Sequence, residues 1–179
     1  MRPIRIDVRF DFLRSLPLPV MSMPIPPNIA EFWKAFCAKR GEDCSSRFFE
    51  AFHFADNEAD ANGLAELVLA GVKRGTTSLV WSFEDAGRSP PGQGALSVVT
   101  YWDGTPACVI ETLEVEVLPF DQVDARFAAI EGEGDGSLDY WRRVHWDYFG
   151  RECARLGRGI TQDMPVACER FGVVYRAGM

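Results

Sequence analysis

The sequence predicts an α+β domain in which helices flank a mostly antiparallel sheet that curls into a small barrel. Segments with helical periodicity surround several β-rich runs, and the runs at 95–102 and 106–120 are joined by Asp103-Gly104, a hairpin signal. The chain contains 13 Phe, 5 Trp and 4 Tyr, which favours a dense core or a stacking pocket. With 179 residues it is long enough to bury such a core in one domain.

Residues 1–27 are predicted to form a Pro-rich extension ahead of a domain that spans 28–179. The extension contains four Arg but no continuous apolar stretch of the kind that a signal peptide needs. Its segment IRIDVRF alternates as a short strand would, and the five prolines that follow favour an extended arm. The alternative interpretation is translation from Met21 or Met23, which leaves the residues before it outside the protein.

Amphipathic helices are predicted over 29–40, 57–71, 121–131 and 137–157. Residues that favour helix termini set these limits. Asn28, Asp121 and Ser137 are predicted N-caps, because a short polar side chain can accept from the first free backbone N–H groups. Gly41 and Gly71 are predicted to end the first two helices, where the backbone turns left-handed.

β-structure is predicted over 47–56, 72–81, 95–102, 106–120 and 164–176. The first run is aromatic and partly alternating, and the second starts as a loop before it becomes extended. A Pro/Gly loop at 84–94 separates the second run from the hairpin. The predicted order is therefore helix, strand, helix, three strands, two helices and a closing strand.

The net charge is −7 and the isoelectric point is about 4.9, which argues against binding of duplex DNA. Tight duplex binding depends on lysines and arginines that neutralise phosphates. A local basic run on the last predicted helix has two interpretations, a solvated helix face or a pocket for one nucleotide or strand. Its members are Arg142, Arg143, Arg151, Arg155 and Arg158.

The five cysteines favour free thiols, because their number is odd and no pair has CxxC spacing. A disulfide framework or a zinc ribbon is therefore not expected, and a reducing cytoplasm suits this composition. No apolar run approaches the ~20 residues of a membrane span. We expect a cytoplasmic protein that needs no metal or cofactor.

The segment GVKRGTTS, residues 71–78, has two interpretations. It does not follow the phosphate-loop pattern GxxxxGK[ST], because Lys73 precedes the second glycine. From local sequence, Lys73 is a cation at a helix C-terminus, where the macrodipole favours it. The functional interpretation is a lysine beside the hydroxyls of Thr76, Thr77 and Ser78, where it lowers the pKa of a hydroxyl or acts as its base.

The segment IEGEGDGSL, residues 130–138, alternates three carboxylates with three glycines. Asp135 and Ser137 suit the start of the last helix, where anions are stabilised. Glu131 and Glu133 precede that helix, so capping does not explain them. A carboxylate held there can orient a lysine, act as a general acid or base, or accept from an amino group. The segment lacks the ligand order of a calcium loop.

These segments, in this order, resemble the ASCH domain (activating-signal-cointegrator homology) of the PUA-like superfamily. The resemblance runs from about residue 28 to 176 and is closest to the bacterial group with an N-terminal Trp-containing helix. Its most specific motifs are G-x-K-x-x-T-x-S-L at 71–79 and E-G-E-G-D-x-S-L-x-Y-W-R-x-x-H at 131–145. The family resemblance implies a PUA-like β-barrel with flanking helices, and a cleft where the lysine-threonine loop and the acidic loop meet.

The resemblance also implies that the protein handles RNA or modified nucleosides. Small relatives are amidohydrolases on N4-acylated cytidine that use a Lys, a Thr and a Glu, and other relatives are reported as ribonucleases. Lys73 and Thr76 match the lysine and threonine, although the usual K-T-x-T reads K-R-G-T here. Glu133 matches the glutamate, with Glu131 as the alternative because this acidic loop is longer.

We therefore expect an amidohydrolase on N4-acylcytidine-type substrates, with Lys73, Thr76 and Glu133 as catalytic residues. The expected substrate-binding residues are Thr77, Ser78, Trp81, Glu131, Trp141 and Arg142. Trp102 is a further candidate for stacking on a base, and both histidines, His53 and His145, are interpreted as structural. The alternatives are a non-catalytic RNA-binding module and a metal-independent ribonuclease.

Overall fold

The computed structural model describes residues 24–176, and in that range the chain forms a mixed α+β fold around one five-stranded sheet. The strands are β1 (Phe48–Phe52), β2 (Gly75–Leu79), β3 (Leu96–Thr100), β4 (Pro106–Pro119) and β5 (Pro165–Arg176). The α-helices of this range are α1 (Ala30–Arg40), α2 (Glu58–Leu69), α3 (Val80–Asp85), α4 (Ala125–Glu131) and α5 (Leu138–Arg155). The predicted IRIDVRF strand lies outside the described residues.

The sheet is mostly antiparallel, in the strand order β1-β3-β4-β5-β2. β3 and β4 form the predicted hairpin, in which Gly104 has φ +84° and the Thr105 N–H donates to Asp103 Oδ1 at 2.8 Å. β4 pairs with β5, and β2 pairs with the other side of β5, both antiparallel. Only the pairing of β1 with β3 is parallel among the described strands. The predicted α+β class and mostly antiparallel sheet are confirmed.

The predicted closed barrel is wrong, because the sheet is open between β1 and β2. These are its two edge strands, each of five residues, and no ladder joins them within residues 24–176. The chain crosses from one edge to the other through α2, which packs on β4 and β5. A cavity of about 770 Å³ lies between the two edges, with Phe52 of β1 and Thr76 to Leu79 of β2 in its walls.

Two predicted helix caps are wrong, and in both cases the residue contacts a segment that is distant in sequence. Asn28 lies in a 3₁₀ turn ahead of α1, and its side chain donates to Gly104 O at 2.9 Å instead of capping the helix. Asp121 also lies in a 3₁₀ turn, because its N–H donates to Gln162 O at 3.0 Å. Asp124 caps α4 in its place by accepting from Phe127 N at 2.9 Å.

Other predicted termini are confirmed. Ser137 caps α5 by accepting from Tyr140 N at 3.1 Å, and Gly41 ends α1 with φ +73°. The start of α5 is also held by Asp135, whose Oδ1 accepts from Ser137 N at 2.9 Å. The beginning of the long helix therefore lies where the sequence places it, and it fixes the exit of the acidic loop.

The helix α3 was predicted as the end of an extended segment. The pairing of β2 with β5 ends at Leu79, which lies opposite Val166 near the start of β5. Backbone groups beyond that point have no ladder to join, so from Val80 they form helical hydrogen bonds instead. The first predicted strand is also shorter than expected, since the chain leaves β1 at Phe52.

Three buried apolar clusters hold the helices on the sheet. One packs α1 on the face of β1, β3 and β4, and another packs α2 on the opposite face. The third joins α4 and α5 to the end of β2 and β5, and its large members are Leu79, Phe120, Trp141, Phe149, Met164 and Val166. Fully burying one such side chain stabilises the fold by ~1.5–3 kcal/mol. The third cluster therefore sets how α5 faces the cavity.

The five cysteines are free thiols, and four of them are buried. The helices of the described range are all too short or too polar to cross a membrane. Neither observation bears on the cavity, whose walls hold no cysteine among the residues that line it.

Candidate active site

Lys73 is the central cation of the site and lies in the short connection between α2 and β2. Its Nζ donates to Oε2 of Glu131 at 2.9 Å and to Oε1 of Glu133 at 2.5 Å, and the side chain is 1% exposed. The contact of Lys73 with Glu133 across the two loops is confirmed. Lys73 follows the C-terminus of α2, but that position alone does not account for it, because the ammonium is buried between two carboxylates.

Glu131 is the last residue of α4 and is fully buried, and its carboxylate accepts hydrogen bonds from several donors. Its Oε1 accepts from Thr77 Oγ1 at 2.5 Å and from Trp141 Nε1 at 2.8 Å. Nε2 of His145 lies 3.6 Å from the same oxygen. Together with Lys73 on Oε2, these contacts occupy both oxygens. Glu131 therefore organises the site and has little capacity left for a ligand.

The charges of this cluster are fixed by mutual contact. Burial alone would raise the pKa of Glu131, but the Lys73 ammonium, followed by His145, holds that pKa well below its ordinary value. Burial alone would lower the pKa of Lys73, but the carboxylates of Glu131 and Glu133 hold it above its ordinary value. Lys73 is therefore an ammonium near neutral pH and Glu131 a carboxylate.

Glu133 is the carboxylate that can meet a ligand. Its side chain is 13% exposed, against 1% for Glu131, and it lines the cavity. One of its oxygens is held by Lys73. The buried ammonium thus positions a carboxylate at the cavity wall, and Lys73 reaches the cavity only through its partners.

Two glycines let the acidic loop pass between its neighbours. Gly132 ends α4 with φ +66°, and a Cβ there would lie 2.8 Å from Val72 O. Gly134 has φ +56°, and a Cβ there would overlap the ring of Tyr140. Glycine is needed at both positions, because a side chain would meet either the lysine loop or the first turn of α5.

The cavity walls are aromatic and acidic. The aromatic lining comes from Phe52, Phe54, Phe83, Tyr140 and Tyr148. The carboxylates that line it, besides Glu131 and Glu133, are Asp56, Asp60, Asp147 and Glu152. A guanidinium also lines it, that of Arg151, and its Nε donates to Asp56 at 2.7 Å. The cavity thus offers flat apolar surfaces and many acceptors, and it carries an excess of negative charge.

The predicted hydroxyl residues all lie at the cavity but differ in their partners. Thr76, Thr77 and Ser78 line it. Thr77 is 7% exposed and its hydroxyl donates to Glu131, so this hydroxyl belongs to the buried cluster around Lys73. Within the described residues, no side-chain hydrogen bond joins Thr76 to Lys73.

The predicted tryptophans lie away from the cavity walls. Trp141 is 2% exposed and is stacked between Phe120 and His145. Trp81 lies beneath the guanidinium of Arg158, which is 4.7 Å from its ring centroid. Trp102 is exposed and packs on His53. Arg142 lines a different, smaller cavity on α5.

His145 is a site residue that the sequence interpretation missed. Its ring stacks on Trp141 with centroids 4.2 Å apart, and its Nδ1 lies 3.0 Å from Trp141 O. The signal was the spacing of four residues between Trp141 and His145, which places both on one face of a helix. Tyr140 and Tyr148, eight residues apart on the same helix, were also missed as cavity walls.

Among residues 24–176, no three or more His, Cys, Asp and Glu side chains are grouped so that they could hold a metal ion. The chemistry available to the described residues is that of a fixed ammonium, a cavity-facing carboxylate and a hydroxyl. Such a set can move protons and stabilise developing charge.

The chain resembles solved ASCH structures over most of its length. The ASCH domain family model matches residues 50–175. The ASCH domain of Lactobacillus crispatus JV V101 has 37% identity and a TM-score of 0.79, and the match covers 89% of this chain and 100% of that one. A protein of Enterococcus faecalis V583 has 29% identity and a TM-score of 0.77, over 83% and 89%. No curated protein matches. The chain belongs to the ASCH domain family.

Proposed function

We propose that the protein is an amidohydrolase that removes an acyl group from the exocyclic nitrogen of a cytidine-type nucleoside. One observation carries the proposal: a buried ammonium, Lys73, holds the carboxylate of Glu133 at the wall of a cavity lined by aromatic rings. A family generally linked to RNA interaction supplies the substrate class. Ligand cavities of ~300–1,000 Å³ with few polar groups are typical of small-molecule sites.

The raised pKa of Lys73 changes its role from the one that the sequence suggests. A lysine that stays protonated cannot take a proton from a hydroxyl, so the base in our proposal is Glu133. Lys73 then keeps Glu133 in position at the cavity wall. The second carboxylate, Glu131, keeps Lys73 charged.

The proposed reaction has two steps. The hydroxyl of Thr76 attacks the acyl carbonyl while Glu133 accepts its proton, and Glu133 returns that proton to the exocyclic nitrogen as the C–N bond breaks. This leaves an ester on Thr76 and a free amino group on the base. Water then hydrolyses the ester with Glu133 again as the base, and the carboxylic acid departs.

The charge of the cavity favours a nucleoside over a long strand at this position. Six carboxylates line the cavity, whereas its arginine is already paired with Asp56. Phosphates placed inside would meet this negative field. A neutral acylated base instead meets aromatic faces for stacking and carboxylates that accept from its N–H groups.

The test is steady-state hydrolysis of N4-acetylcytidine by the wild type and by the variants Glu133→Gln, Thr76→Ala and Lys73→Met. We expect kcat/KM to fall ~10²–10⁴-fold for Glu133→Gln, the usual contribution of general base catalysis. Asp139→Asn is the matched control, since Asp139 is an exposed carboxylate nearby on α5. Hydrolysis that survives all three site substitutions would overturn the proposal, as would equal losses in the control.

A further inference from the structure

The basic run on α5 and just after it divides into arginines with and without a carboxylate partner. Arg151 pairs with Asp56 at 2.7 Å, Arg155 with Glu152 at 3.0 Å, and Arg158 with Glu84 at 3.3 Å. The other two members, Arg142 and Arg143, have no carboxylate within salt-bridge distance in the described part of the chain. Both are exposed. The two guanidinium groups of the run that lack a carboxylate partner among the described residues therefore both lie in the first half of α5.

These two arginines meet at a second cavity of about 380 Å³. The half-buried indole of Trp146 and the side chain of Gln162 also line it. Arg142 Nη2 donates to the backbone oxygen of Asp121 at 3.2 Å, which anchors one guanidinium at the edge of the cavity. The wall thus combines a flat apolar ring, fixed cationic donors and an amide.

Two carboxylates, Asp121 and Asp147, line the same cavity and offset the two guanidinium charges. A bare phosphate would gain little there, because attraction and repulsion nearly balance. A nucleotide uses all of these groups. Its base stacks on an indole or a guanidinium plane, its amino or imino N–H groups donate to carboxylates, and its phosphate accepts from arginines.

The second cavity adjoins the first along α5. Asp147 lines both cavities. Arg143 lies with its guanidinium carbon 5.5 Å from the ring centroid of Tyr140, which is a wall of the first cavity. The two cavities lie on different sides of α5, so a strand with one base in the acidic cavity and the next at the second cavity crosses the helix beside Arg143 and Asp147.

We propose that this second cavity is a subsite for the nucleotide that flanks the base held in the first, so that the ligand is an oligoribonucleotide. The subsite rests on the proposed function for the identity of the first base. The acidic cavity takes the neutral base of one nucleotide, and Arg142, Arg143 and Trp146 take the phosphate and base of its neighbour.

The experiment measures binding of a fluorescent tetraribonucleotide, with and without one N4-acetylcytidine, next to hydrolysis of the free nucleoside. We expect the double variant R142Q/R143Q to weaken tetranucleotide binding ~10-fold or more, and to make the salt dependence shallower by ~0.7 per lost phosphate contact. The double variant R155Q/R158Q is the matched control, because it removes the same charge from paired arginines of the same region. It should leave tetranucleotide binding unchanged.

Trp146→Leu gives a second, independent readout. Leucine keeps apolar volume next to Phe120 but removes the stacking surface, so tetranucleotide binding should fall ~10-fold if a base stacks there. Circular dichroism and thermal melting check that each variant folds. A loss that the two double variants share, or no loss in R142Q/R143Q, would overturn the subsite.

The outcomes also separate the subsite from the proposed function. A selective loss of tetranucleotide binding in R142Q/R143Q, with no hydrolysis of acetylcytidine by the wild type, would keep the subsite and reject the amidohydrolase. Hydrolysis of the nucleoside by a wild type that does not bind the tetranucleotide would keep the amidohydrolase and reject the subsite. Binding of adenosine monophosphate as tight as that of the tetranucleotide would overturn the proposal that the ligand is a strand, and it would assign the second cavity to a free nucleotide.

Discussion

Lys73 and its two carboxylates decide both the stability and the chemistry of this protein at the scale of single residues. A buried ion pair contributes little to stability by itself, because desolvation offsets the attraction, but breaking one leaves an uncompensated charge. Here one ammonium serves two carboxylates, of which Glu131 is the deeper. Substitutions on either side of this cluster should therefore differ in their effects.

Glu131→Gln is expected to lower the free energy of unfolding by ~3–5 kcal/mol, as for other buried charge pairs that lose a partner. The amide keeps a hydrogen bond to Trp141 but leaves Lys73 with only Glu133. Urea denaturation followed by fluorescence measures the change. Asp139→Asn is the control, and a loss below ~1 kcal/mol in Glu131→Gln would show that Glu133 alone compensates the ammonium.

Glu169 gives a pH-dependent prediction away from the site. It lies on β5, 9% exposed, and accepts from Thr112 Oγ1 at 2.6 Å. Burial raises the pKa of Glu169 to about 7, against the hydrogen bond from Thr112 and with a smaller contribution from Glu50. The folded state therefore keeps a proton that the unfolded state loses at lower pH.

The sign follows from this difference. Between the ordinary carboxyl pKa of ~4.3 and about 7, the native state binds more protons, so the stability that Glu169 contributes falls as pH rises. Glu169→Gln cannot ionise, and it should match the wild type at pH 4.5 and exceed it at pH 8, by roughly 1–3 kcal/mol. Urea denaturation at both values measures this. A variant that is less stable than the wild type at pH 8 would contradict the prediction.

At the scale of elements, the acidic loop depends on its glycines as spacers. Gly134 and Gly136 both have positive φ, but only at Gly134 would a Cβ meet the ring of Tyr140. Around Gly136 no atom of residues 24–176 lies within 4 Å of that position. Alanine substitutions at these two positions therefore separate the cost of backbone strain from the effect of displacing the loop.

Gly136→Ala should cost ~1–2 kcal/mol from left-handed strain and leave kcat/KM on acetylcytidine close to that of the wild type. Gly134→Ala should lose a similar or larger amount and also lower kcat/KM at least ~10-fold, because the loop must move and Glu133 moves with it. Thermal melting and steady-state kinetics give the two readouts. Equal kinetics in the two variants would show that the loop absorbs the extra methyl group without shifting Glu133.

The elements that could be predicted from sequence are those fixed by local chemistry. Ser137 and Gly41 set helix ends through their own side chain or its absence, and they lie where predicted. The predictions for Asp121 and for the stretch after Leu79 were wrong, because backbone groups that are distant in sequence determine both. Asp121 N is taken by Gln162 O, and β2 stops where β5 begins. No local pattern carries that information.

The same distinction applies to the site. The contact between Lys73 and Glu133 was predictable because the two family motifs imply that their loops meet. The central position of Glu131 and the contribution of His145 were not, because both follow from how α5 packs on α4. Trp141 was expected to stack on a base but donates to Glu131 from the interior. Burial of that indole is a tertiary property, so composition could not reveal it.

For the whole molecule, the open sheet predicts how hydrogen exchange is distributed. β3, β4 and β5 each have a partner strand on both sides, whereas β1 and β2 are edge strands of five residues. Amides of β1 and β2 should exchange faster than those of the three inner strands, since local opening breaks fewer contacts there.

A ligand in the acidic cavity should then protect both edges at once, because Phe52 of β1 and the segment from Thr76 to Leu79 of β2 both line it. Exchange measured by mass spectrometry with and without acetylcytidine tests this, and α1 is an internal reference, because none of its residues lines the cavity. Protection confined to α5, with neither edge affected, would place the ligand elsewhere.

The pairing of β2 with β5 also determines when the site can exist during synthesis. Gly75 lies opposite Arg170 and Leu79 opposite Val166, so the lysine loop is anchored by residues translated long after it. A nascent chain on the ribosome can fold α1 and the β3–β4 hairpin early, because their contacts are local. Until β5 has left the exit tunnel, Lys73, Glu131 and Glu133 remain in water and do not yet pair. Assembly of the charged cluster is thus a late event in translation, and it marks the moment at which the chain becomes a complete domain.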